Sequence, residues 1–210
     1  MNRRGIMIVL SGFSGVGKGT LVRELLRAYD NYALSVSMTT RKPREGEQEG
    51  VSYYFVDRDA FEKTIAEDGL IEYAQYCGNY YGTPRRYVEN TLAEGRDVIL
   101  EIEIQGALKI KERFPQALLL YVMPPCAAEL KKRLVGRGTE EAAVIEKRLK
   151  RAREEAEGIE NYDYIVINDD LEECVREVHG IITAARRTPD RNEQFIAEIR
   201  SELDTLVGEK

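Results

Sequence analysis

The chain has 210 residues, 43% hydrophobic and 32% charged, with a formal net charge of -6 and a pI near 5.2. That length and composition suit one soluble α/β domain with small excursions, able to bury a core without staples. The acidic balance argues against a protein that works by coating nucleic acid, so any positive site must be local.

Gly5 to Leu10 is a short apolar run bounded by turn residues and reads as a buried parallel strand. The arginines before it give the N-terminus a superficial likeness to a signal peptide. The run is too short for one, however, and ends in a glycine-rich loop without a small-residue cleavage site. A helix follows from about Gly17 to Tyr29, with Leu21, Val22, Leu25 and Leu26 on one face, and then a strand over Tyr32 to Val36.

From Ser37 to about Gly82 the texture changes. Thr39 to Gly50 is charged and rich in Gly and Pro, which predicts an exposed loop. Strand-like runs follow at Tyr53 to Val56 and Leu70 to Tyr81, with a short helix near Phe61 to Glu67 between them. The segment 37–82 therefore reads as a small inserted subdomain.

The α/β alternation then returns. Thr83 and Pro84 suggest an N-cap and first-turn proline for a helix reaching Glu94. Strands at Val98–Ile102 and Ala117–Val122 alternate with helices at Gly106–Arg113 and Ala127–Val135. After a Gly136-Arg137-Gly138 break, a charged helix spans Glu140 to about Glu157. A last core strand at Tyr164–Ile167 and a helix at Leu171–Arg187 follow. Strands alternating with helices imply a parallel sheet with helices on both faces. Beyond Pro189, Phe195, Ile196, Ile199, Leu203 and Leu206 recur at helical spacing, which predicts a helix packed on the body, with a dimer contact as the lesser alternative.

Cys77, Cys126 and Cys174 lack CxxC spacing, so neither a disulfide framework nor a zinc site is expected. His179, the single histidine, lies in a polar helical stretch and reads as a surface or packing residue. No segment approaches the ~20 apolar residues of a membrane span, and the expected location is the cytoplasm.

The loop Gly12-Phe13-Ser14-Gly15-Val16-Gly17-Lys18-Gly19-Thr20 carries the Gly, Gly and Lys of a GxxxxGK[ST] phosphate-binding loop, between a predicted strand and a predicted helix. Its glycines let backbone N–H groups approach phosphate oxygens, and the helix start adds its positive dipole end. Lys18 can bridge β- and γ-phosphates and follow the migrating charge. Gly19 stands where many such loops place a Mg²⁺-binding hydroxyl. The hydroxyl comes one residue later, at Thr20.

The segment TTRKPREGEQEGVSYYF, Thr39 to Phe55, resembles the acceptor signature of guanylate kinases, T-[ST]-R-x2-[KR]-x2-[DE]-x2-G-x2-Y-x-[FY]. Thr39, Thr40, Arg41, Arg44, Glu47, Gly50, Tyr53 and Phe55 occupy its positions. The resemblance continues through LIEYAQYCGNYYGT, EIEIQGA, GRGTE, KRL and VIND to about Arg187, leaving only the tail outside. It implies a P-loop nucleoside monophosphate kinase fold: a parallel-sheet core (1–36, 83–130, 158–189), a GMP-binding subdomain (37–82), a mobile lid (131–157) and a C-terminal helical tail (190–210).

The resemblance also implies roles. Arg41, Arg44, Tyr53 and Tyr81 would hold the acceptor phosphate, where guanidinium forks pair well with oxygens. Ser37, Glu72 and Thr83 would face guanine, whose N1 and N2 donors suit a carboxylate, whereas adenine presents an acceptor at N1. Glu101 and Glu103 stand where the family pattern has aspartates that contact guanine and support Mg²⁺-bound water. Arg133, Arg137 and Arg148 would belong to a lid over the ATP phosphates. Asn168, with Asp169 beside it, would meet the adenine of ATP. The implied reaction is phosphoryl transfer from ATP to GMP with Mg²⁺, by a monomer or homodimer with no nucleic-acid or membrane partner. No direct metal ligand is assigned; Thr20 and Glu103 could act through water.

Two other readings use the same architecture. A kinase for another phosphorylated acceptor fits poorly with Glu72 and the full signature. A non-catalytic protein-binding module fits poorly with an intact Gly12, Gly17 and Lys18.

Overall fold

The computed structural model describes residues 4–76, 78–135 and 142–208. The predicted helix after residue 140 is therefore seen as Ala142–Glu155. The glycine break at 136–138, Arg137 and Cys77 lie outside the described residues.

Five parallel strands form the core sheet: β1 (Met7–Gly12), β2 (Tyr32–Leu34), β7 (Asp97–Glu101), β8 (Leu118–Met123) and β9 (Tyr164–Ile167), in the order β2-β7-β1-β8-β9. The register sets Val9 beside Leu100 and Leu119, so the central strand is apolar toward both neighbours. Both faces of such a sheet must be covered, and the sequence supplies two separate apolar sets for this purpose. One face meets α1 (Lys18–Ala28), α5 (Ala127–Val135), α6 (Ala142–Glu155) and α7 (Leu171–Ala185), through residues such as Leu21, Leu134, Ala152 and Val178. The other meets α3 (Arg85–Ala93) and α4 (Ile104–Arg113), through Val88, Leu92, Ala107 and Ile110.

The inserted segment forms a second sheet, in the order β4-β3-β6-β5, from β3 (Met38–Thr39), β4 (Tyr54–Phe55), β5 (Leu70–Tyr76) and β6 (Asn79–Pro84), with α2 (Arg58–Ala66) between β4 and β5. The strand-like run from Leu70 to Tyr81 is a hairpin. Tyr76 pairs with Asn79, and the chain reverses at Gly78. Ile71 of β5 joins the α3/α4 core, which fixes this sheet to the body.

Thr83 does not cap a helix. β6 runs through Pro84, α3 begins at Arg85, and the Thr83 hydroxyl is committed to Glu72 instead. At the opposite end of the core sheet, buried Asp97 accepts from Ile6 N (2.7 Å) and Asn31 Nδ2 (2.9 Å) and pairs with Arg186. These bonds tie β1, β2 and α7 to β7.

The tail forms the expected helix, α8 (Glu193–Val207), but it does not pack as expected. None of its residues is buried, and Ile199, Leu203 and Leu206 remain exposed. His179 stacks on Tyr29 at 3.6 Å and its Nδ1 lies 2.7 Å from the Tyr32 hydroxyl, in keeping with a packing role.

Candidate active site

The glycine-rich loop leaves the end of β1 and enters α1. Gly17 is the N-cap of α1 at φ 101, a left-handed conformation that favours glycine. A Cβ there would lie 2.7 Å from Asn168 Nδ2, so a side chain is excluded on space as well. The loop is braced from behind. Asn168 Nδ2 donates to Val16 O at 2.9 Å, and Arg133 Nη1 donates to Asn168 O at 2.8 Å and Val16 O at 3.2 Å. Phe13 and Val16 turn their side chains into the core, so only their backbone can serve a phosphate. Ser14 is exposed at the tip, and Gly15 and Gly19 complete the curve. Lys18 Nζ lies across the loop, donating to Gly12 O at 2.5 Å and Phe13 O at 3.3 Å. Thr20 Oγ1, on the first turn of α1, accepts from Arg23 at 3.0 Å.

A cavity of about 700 Å³ opens between the two sheets. Ser37, Arg41, Arg44, Tyr53, Glu72, Tyr81, Glu101 and Glu103 all line it, although they span nearly seventy positions of sequence. Arg41 is oriented with care. Its Nη2 meets Glu47 Oε1 at 2.8 Å, its Nη1 donates to Lys42 O at 2.7 Å, and its guanidinium carbon lies 5.3 Å from the Tyr53 ring centroid. Glu47 also accepts from Arg44 N at 2.7 Å. The Arg41 hydrogen bond, helped by the Arg44 amide, holds the Glu47 carboxyl below the usual range. Thr39 and Thr40 fix the loop base, the first donating to Tyr80 O and the second accepting from Tyr80 N.

Glu72 is a buried carboxylate of the cavity, 8% exposed, as is Glu155 on its α6 wall. Thr83 Oγ1 donates to its Oε1 at 2.8 Å, and a Cβ on Gly106 would approach its Oε2 to 2.9 Å. Gly106 is thus the clearance that lets α4 approach this carboxylate. Burial pushes the Glu72 carboxyl up, against the Thr83 hydrogen bond and the charge of Lys109. Glu101 lies beside Gly19, near Lys18 and Arg23. Its crowded place at the strand end raises its carboxyl, those two cations lower it, and Glu103 raises it again.

The predicted residues therefore fall into two groups, one around the loop and one around the cavity, with Glu101 between them. Asn168 and Arg133 act here as supports of the loop. Asp169 follows Asn168 outside β9, and Arg148 is half-buried on α6. Sequence reasoning assigned no site role to Glu47, which orients two arginine positions, although it is a signature residue. It also passed over Arg151, Glu154 and Glu155 of α6, which line the cavity. Their only sequence signal is an i,i+4 charge pair in a helix full of charges.

Residues 4–185 match the family model described as Guanylate kinase. A guanylate kinase from Latilactobacillus sakei is 48% identical over 203 residues, covering 94% of this chain and 100% of that protein. One from Halalkalibacterium halodurans is 52% identical over 181 residues, covering 86% and 89%. The crystal structure of guanylate kinase from Anaplasma phagocytophilum covers 90% of each chain with a TM-score of 0.74 and 35% identity. The match over most of the chain shows that this chain belongs to the guanylate kinase family.

Proposed function

We propose that this chain transfers the γ-phosphoryl group of ATP to GMP, giving ADP and GDP. The observation that carries the reading is Glu72: a buried carboxylate held by Thr83 inside a cavity that also presents Arg41 and Arg44 and lies next to the phosphate loop. An ionised Glu72 accepts from guanine N1 and N2, and Ser37 donates to O6. Arg41, Arg44, Tyr53 and Tyr81 hold the phosphate. Adenine in the same place would set its N1 lone pair against the carboxylate.

The acceptor needs no general base. A phosphomonoester has its second pKa near ~6, so at neutral pH the nucleophilic oxygen is already largely unprotonated. Catalysis rests on in-line placement and on charge neutralisation by Lys18, Arg41, Arg137 and Arg148. Lys18 must exchange its contacts to Gly12 O and Phe13 O for phosphate oxygens. Arg133 and Asn168 serve ATP by holding the loop that binds it, and residues 131–157 act as the lid that excludes water.

The oxygen donors nearby, Thr20 and the carboxylates of Glu101 and Glu103, suit Mg²⁺. Among the described residues no group of three or more His, Cys, Asp or Glu could hold a metal ion. ATP phosphates would therefore supply the inner ligands, with Thr20 and Glu103 acting through water. Mg²⁺ held there would supply positive charge to neutralise the ATP phosphates. We place the reaction in the cytoplasm, with ATP and GMP as the partners. An ADP-release assay with ATP against GMP, AMP, CMP and UMP tests the proposal. Turnover confined to GMP is expected, and equal turnover of AMP would overturn it.

A further inference from the structure

The acceptor cavity has a wall that none of the motifs points to. It comes from α6, where Arg151 bridges two carboxylates. Arg151 Nε donates to Glu155 Oε1 at 2.7 Å, and its Nη2 reaches Glu103 Oε2 at 3.3 Å. The two partners differ in kind. The Glu155 side chain is 9% exposed and that of Glu103 58%, so one end of the bridge is fixed and the other is open to exchange.

Glu103 has an unusual posture for its place. It is the N-cap residue of α4, yet its side chain makes no capping hydrogen bond and turns toward α6 instead. The surroundings explain why a cation is wanted there. Burial and the neighbouring charge of Glu103 raise the Glu155 carboxyl, which Arg151 pulls back down. Glu103 likewise raises Glu101. Three carboxylates thus crowd one end of the cavity, with the Arg151 guanidinium between two of them.

We propose that Arg151 is a positioning residue for the acceptor site: anchored on Glu155, it holds Glu103 at the cavity edge and so links α6 to the bound acceptor. Arg151 does not touch the reacting atoms. It sets where the Glu103 carboxylate points and offsets the repulsion that a further anion, the acceptor phosphate, would otherwise add to this end of the cavity. A role limited to bracing α6 would need the Glu155 pair alone and would leave the acceptor untouched.

The inference rests on the acceptor reading above, so the experiment begins by establishing which nucleoside monophosphate the wild type phosphorylates, and uses that one throughout. If GMP is not turned over, the functional reading fails, while the link between Arg151 and Glu103 is still measurable with the acceptor found. Arg151→Met, Glu103→Gln and the double variant are then compared by acceptor KM at saturating ATP and by ATP Kd from calorimetry. Arg151→Met should raise the acceptor KM roughly three- to tenfold, as expected for a partly exposed ion pair. ATP Kd, measured without Mg²⁺, should stay within about twofold, Arg151→Lys should recover part of the loss, and the double variant should be no worse than the poorer single one. An acceptor KM unchanged in Arg151→Met would overturn the inference. Equal losses for both nucleotides, or effects of the two substitutions that simply multiply, would do the same.

Discussion

Thr83 Oγ1 donates to Glu72 Oε1 across 2.8 Å, joining β6 to β5 at the buried end of the acceptor cavity. The bond leaves Glu72 Oε2 facing Gly106, and it fixes which way the carboxylate can present itself. Glu72→Gln keeps the size but replaces one acceptor oxygen with an NH₂ donor, which would face a guanine N–H. GMP should lose at least ~10-fold in kcat/KM, and discrimination against AMP should narrow. Steady-state kinetics on both nucleotides decide this. Wild-type selectivity in the variant would remove Glu72 as the base reader.

The raised carboxyl of Glu72 gives a pH signature. Its native pKa lies above the ordinary 4.5 because of burial, so the native state binds the proton more tightly than the unfolded chain. The stability that this contributes is present at low pH and lost as pH rises through the raised value. At neutral pH and without ligand, Glu72→Gln should therefore melt at or above the wild-type temperature. Acceptor recognition runs the other way, because it needs the ionised form. The ratio of wild-type to variant kcat/KM should fall on acidification at a pH above the ordinary carboxylate range. The phosphate of GMP titrates equally in both proteins and cancels in that ratio.

Arg41→Ala should weaken GMP about tenfold or more and leave ATP nearly unchanged, since a charge-assisted contact contributes roughly 1.5–3 kcal/mol. Glu47→Gln should give a smaller loss of the same kind, because Glu47 orients the Arg41 guanidinium and the Arg44 backbone. Calorimetric titration of each nucleotide separates these cases. An equal loss of ATP binding would move Arg41 out of the acceptor site.

Lys18→Met should reduce kcat by on the order of 10²–10³-fold, the scale of losing one stabiliser of transition-state charge. Its Nζ donates to the loop carbonyls Gly12 O and Phe13 O and holds no core element together, so the melting temperature should hold within a few degrees. Normal turnover in the folded variant would take the loop out of the mechanism.

Asp97→Ala should cost about 3–5 kcal/mol in stability, because it strands Arg186, Asn31 and the Ile6 amide around a buried site. Denaturant unfolding measures it. Activity below the transition should be close to wild type, since the site lies at the other end of β7 from Glu101.

The phosphate loop and the Thr39–Phe55 signature were legible because each is a contiguous segment whose residue types are fixed by its own chemistry. Core strands and helices were legible because their apolar sets are continuous or periodic. What escaped depends on relations between distant segments. Thr83-Pro84 has the local form of a helix start, but Glu72, eleven residues earlier, claims the hydroxyl. The Leu70–Tyr81 run carries strand residues throughout, and only the antiparallel register reveals its reversal. Arg151 is one charge among many on α6 until β7 and α4 bring Glu103 beside it. The α8 spacing gave the helix correctly, but periodicity cannot say whether a surface exists to cover it.

The clasp of Arg133 and Asn168 on Val16 has a thermodynamic meaning. The loop is ordered by bonds to α5 and to the residue just after β9, which belong to the folded chain itself. Its conformational entropy is thus lost during folding and not again when a nucleotide arrives. Such a preorganised cradle can receive an anion without first having to assemble itself. Cutting the clasp, for example in Asn168→Ala, would transfer that ordering cost from the folding equilibrium to the binding equilibrium of ATP.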